Sequence, residues 1–142
     1  SLTNKGMEQF PQRYLQLTLR LLEQLKSSLP DQVLGEIFRD VAEVITDDLT
    51  KNIDLDDLDL QERLELLQEV LTAEGFMVNL EEDEGNYYVV EASCPYHHVG
   101  EDYPEICVVD RELIAHFAAS NPERVECILD GDKQCKYKIE RT

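Results

Sequence analysis

"LELLQEVLTAEGFMVNLEEDEGNYYVVEASC", residues 64–94, decides the fold. Up to Glu74 the pattern is helical. Leu60, Leu64, Leu67 and Leu71 recur at three and four and share one face. Gly75 stands at the position just past a helix end, where a left-handed residue closes the last turn. Beyond it the period falls from 3.6 to 2: Phe76, Val78 and Leu80 alternate with Met77, Asn79 and Glu81. "EEDEGN" supplies the turn and "YYVVEASC" the return strand, so residues 76–92 predict a β-hairpin.

Upstream of this switch the chain reads as helices. From about Gly6 to Leu29, Tyr14, Leu17, Leu21, Leu25 and Leu29 form one stripe, and Leu15, Leu19 and Leu22 a second. Pro11 can start or kink this helix. A helix apolar on two sides buries two sides. Either both face one broad core, or one side meets a partner helix; in the second case Tyr14, Leu17, Leu21 and Leu25 form a homodimer interface. A second helix runs from Asp31 to about Leu49, with Val33, Ile37, Phe38, Val41, Val44 and Ile45 as its expected buried stripe. "KNIDLDDLDLQ" reads as an acidic loop.

Downstream, "SCPYHHVGEDYPEICVVDRELI", residues 93–114, is a proline-marked loop that runs into a helix over 105–119 with Val108, Leu113, Ile114 and Phe117 inward. Two strands close the chain. In "RVECILD", Val125, Cys127 and Leu129 share a face; in "QCKYKIE", Cys135, Tyr137 and Ile139 do, and "DGDK" turns between them. The fold class is α+β: a long dimerisation helix and two more, then an antiparallel sheet of about four strands with one inserted helix. Residues 1–5 read as a strand end running into a turn, the tail of something upstream. Residues 6–74 form a helical dimerisation and linker region, and 75–142 an α+β region that carries the cysteines.

The 142 residues hold 31 Asp and Glu against 13 Lys and Arg, a net charge of −18. Such a surface repels phosphates, so the chain itself is a poor match for nucleic acid or an anionic membrane. No apolar run approaches the length of a membrane span, and the polar start is no signal peptide. Four cysteines without a secretory signal point to reduced thiols in a cytoplasm. No nucleophile elbow, phosphate loop or telling acid–base spacing points to an enzyme.

Three explanations compete for the cysteines: metal ligation, disulfides and core packing. A five-residue loop in the last hairpin sets Leu129 opposite Cys135, leaving Cys127 and Cys135 diagonal at roughly 7–8 Å between Cβ atoms. That is too wide for a disulfide, at roughly 3.5–4.5 Å, and suits a cluster better than one ion. Cys107, near a helix N-terminus, is expected to have a lowered pKa. Thiolates select zinc, copper(I) or iron–sulfur clusters, yet the spacing matches neither zinc ribbons nor ferredoxins. Cys127 and Cys135 lie on apolar strand faces, where free cysteine packs well. His97 and His98 are alternative ligands, of which one can point inward. His116 is expected as a partly buried structural histidine.

A resemblance adds to this. "LTNKGMEQFPQRY" resembles the stretch that leaves the wing of a winged-helix DNA-binding domain in ArsR and DeoR-like bacterial regulators. "GFMVNLEEDEGNYYVVEASCPYHHV" (75–99), "YPEICVVDRELIAHF" (103–117) and "RVECILDGDKQCKYKI" (124–139) resemble the C-terminal sensor half of SufR-type iron–sulfur-responsive repressors. The resemblance implies that residues 1–5 are the remnant of a wing and that DNA is reached only through a missing N-terminal winged helix. It implies a dimeric repressor with a [4Fe–4S] cluster on Cys94, Cys107 and Cys135. The family places a further cysteine where this chain reads "AASNPER", so the fourth ligand lies among Cys127, His97, His98 and an external group. Zinc as a structural ion, or a metal-free small-molecule pocket near Tyr87, Tyr88, Tyr103 and Tyr137, are the alternatives.

Overall fold

A computed structural model describes residues 4–141. Its elements are α1 (Asn4–Ser28), α2 (Asp31–Thr50), α3 (Leu60–Ala73), β1 (Met77–Asp83), β2 (Asn86–Ser93), α4 (His97–Gly100), α5 (Val108–Ala118), β3 (Glu123–Glu126) and β4 (Cys135–Ile139), with 3₁₀ turns at Pro104–Cys107 and Ile128–Asp130. The class is α+β, with an antiparallel sheet of order β1-β2-β4-β3. The expected wing remnant falls partly on residues 1–3, which lie outside the described ones. Asn4 and Lys5 already belong to α1. Among the described residues no helix is long and apolar enough to cross a membrane.

The switch between α3 and the hairpin is built by local chemistry. Asp59 caps α3: its carboxylate accepts from the Glu62 N–H at 2.8 Å, and the Glu62 side chain accepts from the Asp59 N–H at 3.2 Å. These bonds satisfy two helix-end donors reciprocally. Asp59→Ala should cost about 1 kcal/mol, read as a lower denaturant midpoint with an unchanged slope. At the other end Gly75 takes φ 104° and the Phe76 N–H returns to the Leu71 carbonyl at 3.0 Å, which turns Phe76 into the core. Glu84 and Gly85, both at positive φ, form the two-residue hairpin turn whose twist matches the strands it joins.

The main core lies between the sheet and the helices α3 and α5. It holds Leu64, Leu67, Leu71, Phe76, Val89, Leu113, Ile114, Phe117, Tyr137 and Ile139. A second cluster forms where α1 and α2 meet the segment that follows β2. There Leu34 and Phe38 pack with Val99 and Tyr103, and Leu15, Leu19, Leu22, Leu25, Ile106 and Val108 close around them.

Several expectations are corrected. α2 buries Leu34, Phe38, Ala42, Thr46 and Thr50, a run of every fourth residue, while Val41 and Val44 are exposed. α2 packs on α5, and small residues such as Ala42 let the two helices approach closely. The last hairpin has a different register. β3 ends at Glu126, its pairing shifts between Arg124 and Glu126, and Glu126 pairs with Lys136. Val125 sits at this irregularity and is exposed, and Leu129 belongs to a 3₁₀ turn. An extra residue in one strand breaks the side-chain alternation that the sequence reading relied on.

Candidate functional site

The site begins with strand alternation. In β2, Tyr87, Val89 and Glu91 point to the core face, and Glu91 pairs across the sheet with Cys135 of β4. Past the end of β2 come Cys94 and Pro95. The Cys94 sulfur accepts from the Tyr96 N–H at 3.4 Å, which helps start the short turn of α4. The 3₁₀ turn then delivers Cys107 to the start of α5, and one turn further Asp110 lies on the same apolar face as Leu113, Ile114 and Phe117. From the other side, the Ile128 N–H donates to the Cys135 sulfur at 3.3 Å.

These pieces meet. Cys94, Cys107 and Cys135, from three separated stretches, line one cavity with Glu91, Asp110 and Tyr137; Tyr96, Ile106 and Leu129 are among its walls. The cavity is small, about 20 Å³, which is room for a water molecule. A far larger hollow of about 530 Å³ opens beside Arg63, Asn121 and Lys138, but it is a surface groove without thiols. Cys127 is buried and does not line the cavity, yet it is near enough that its charge would act on Cys107 and Cys135. The expected diagonal between Cys127 and Cys135 is not formed by strand pairing, because β3 ends at Glu126, opposite Lys136. All four cysteines are free thiols.

The thiols are held neutral. Burial pushes Cys94 and Cys135 up to about 12 and Cys107 to about 11, and the nearby carboxyls add to this. The lowered pKa expected for Cys107 is therefore corrected. Its backbone is already helical, continuing from the 3₁₀ turn, and its side chain caps nothing. Desolvation beside Asp110 outweighs any benefit of the helix start.

Two acids that sequence reasoning missed form the floor. Glu91 is fully buried, and among the described residues no N–H or O–H donor reaches either of its oxygens. Asp110 faces it and accepts from the Tyr137 hydroxyl at 3.3 Å. Burial raises both acids, Glu91 to about 11, so Glu91 keeps its proton at neutral pH. The signal was present: Glu91 continues the Tyr87–Val89 alternation, and Asp110 precedes Leu113, Ile114 and Phe117 at helical spacing.

The histidines stand apart from this floor. His97 touches the cavity wall, is half-exposed, and pairs with Glu101 at 3.0 Å. His98 and His116 are exposed, which corrects the expectation of a partly buried His116. Of the four tyrosines expected around a ligand pocket, only Tyr137 lines the cavity. Tyr87 lies in the main core, Tyr103 in the second cluster, and Lys136 covers the ring of Tyr88. On α1, Tyr14, Leu17 and Leu21 are exposed, whereas Leu25 is partly buried against the second cluster. Among the described residues no group of three or more His, Cys, Asp or Glu is arranged to hold a single metal ion.

Fold and cavity together define an α+β domain with a thiol- and carboxyl-lined interior site. The chain belongs to the methanogen output domain 1 family, whose profile matches residues 17–140. No curated protein and no solved structure matches it.

Proposed function

We propose that this chain is the sensing and dimerisation part of a cytoplasmic regulator, resembling the SufR type. Its cysteine cavity would take an iron–sulfur cluster, and that occupancy would control DNA binding by a winged helix preceding it. The observation that carries the reading is the convergence of Cys94, Cys107 and Cys135 on one cavity. Their chemistry fits: thiolates are the donors that such clusters select. When bound, a cluster supplies a cross-link between three chain segments that oxidation or iron loss undoes.

The cavity as it stands is too small for such a group, so binding has to lift its lid, the segment from His97 to Cys107. That segment is also what the N-terminal helices rest on. Val99, Tyr103 and Ile106 pack with Leu34, Phe38 and the leucines of α1, and Ile106 lines the cavity as well. A shift of the lid therefore moves α1 and α2. The exposed stripe of Tyr14, Leu17 and Leu21 offers a homodimer contact through which that movement would set the spacing of two DNA-binding domains. The description of the family as an output domain is compatible with a place in a regulatory chain.

Anaerobic reconstitution with ferrous iron and sulfide should give a brown chain with roughly four irons and four sulfides. Cys94→Ser, Cys107→Ser and Cys135→Ser should each lose most of them, and sedimentation should show a dimer. A wild-type chain that stays colourless overturns the cluster. A strict monomer in both states removes the dimer link.

A further inference from the structure

We propose that two copies of this chain pair by exchange: α1 of each lies antiparallel on α2 of the other, arginines against aspartates. This rests on the homodimer reading above and is independent of what the cavity holds. The two helices carry the same surface arrangement with opposite charge. On α1, Arg13 and Arg20 bracket Leu17 at four and three residues, and Tyr14 and Leu21 extend its exposed apolar stripe. On α2, Asp40 and Asp47 bracket the exposed Val44 at the same four and three, and Val41 stands in the place of Tyr14. All four charged side chains are exposed. The half-buried Val33 and Ile37 carry the α2 stripe toward the start of that helix. The second cluster is met by other faces: Leu15, Leu19 and Leu22 of α1, and Leu34 and Phe38 of α2.

Equal spacing makes both charged rows about 10 Å long, and each lies on the same-handed side of its stripe. Antiparallel helices bring like-handed flanks together. Arg13 then meets the partner's Asp47 and Arg20 the partner's Asp40, with Leu17 over the partner's Val44. Glu36 adds negative charge to the α2 flank. Glu23 of α1 and Arg39 of α2, the wrong signs for this joint, fall on the sides of their helices away from the stripes. Pairing α1 on α1 in the same sense would set arginine against arginine, and α2 on α2 aspartate against aspartate; like charges so placed select against both. A two-fold axis makes the joint twice, so each copy uses both stripes. Burial of Tyr14, Leu17, Val41 and Val44 supplies the affinity, and the charge pairs choose the orientation.

The test is sedimentation of the full chain, without added metal, over a concentration series at about 0.15 M salt. L17S and V44S should each weaken the dimer about tenfold. R13D with R20D should weaken it at least about tenfold, and so should D40R with D47R, although the second pair lowers the net negative charge that drives copies apart. An equal mixture of the two charge variants should regain a dimer of wild-type strength, because each joint then sets opposite charges together. Circular dichroism should show wild-type helix content throughout, which separates a lost joint from lost folding. If a charge variant does not fold, V44S decides. The proposal is overturned if V44S and the α2 charge variant dimerise like wild type, or if the mixture stays monomeric. A wild-type chain that is a strict monomer overturns the homodimer reading and this inference together, whereas a dimer sensitive to Leu17 and indifferent to α2 overturns this one alone.

Discussion

Between about pH 5 and pH 8 the cofactor-free chain should lose about 4 kcal/mol of folding stability through the Glu91–Asp110 pair, and Glu91→Gln should abolish that loss. The cause is a proton. Burial first, then the charge of Asp110, lifts Glu91 from the ordinary 4.5 to about 11. Across the neutral range the folded chain keeps a proton that the unfolded chain has released. Each unit rise in pH then favours unfolding by about 1.4 kcal/mol. The stabilising share is complete below about pH 4.5 and is lost as pH rises through the folded value of about 11.

The groups around Glu91 reinforce this. They are Asp110 from α5, Cys135 and Tyr137 from β4, Cys94 past the end of β2, and Cys107. All of these are acids raised by burial; His97 stands on the cavity wall, and the positive charge of Arg124 acts on Cys107 and Tyr137. The chain's net charge of −18 adds its own repulsion as pH rises. The measurement is therefore the difference between wild type and Glu91→Gln in urea unfolding at several pH values. Parallel curves for the two chains would show that Glu91 is ionised in the folded state.

Phe117→Ala should cost about 3–5 kcal/mol, a large share of the about 5–15 kcal/mol that holds a typical domain together. Phe117 is fully buried in the main core, on the face of α5 that also carries Leu113 and Ile114. Losing the ring removes its transfer free energy and leaves a cavity between rigid elements, since α5 is packed against both α2 and α3. The effect should appear as a lower urea midpoint with the same slope. Met77→Ala, at a side chain 64% exposed, should change stability by less than about 0.5 kcal/mol. A Phe117→Ala midpoint within error of wild type would mean that α5 is not seated as described.

The switch at Gly75 was legible because two different periods meet there and each has one structural meaning. The helices followed from leucine spacing, and the face shared by Cys135, Tyr137 and Ile139 from strict alternation. α2 was read less well. Periodicity finds the widest apolar face, but a helix that lies close on another buries small residues, so Ala42 and Thr46 go inside while Val41 and Val44 stay out. The register of the last hairpin depends on one irregular residue near Val125, and no side-chain pattern announces it.

By itself, then, the sequence determined the order of elements, the α+β class and which cysteines lie near strand or helix ends, since these are matters of local period and capping. Only the tertiary structure decided that Cys94, Cys107 and Cys135 share a cavity, that Glu91 and Asp110 form its floor, and that Val99, Tyr103 and Ile106 pack against α1 and α2. Convergence and burial are properties of chain segments far apart in sequence. The protonation of each group follows from the water it loses when they close together.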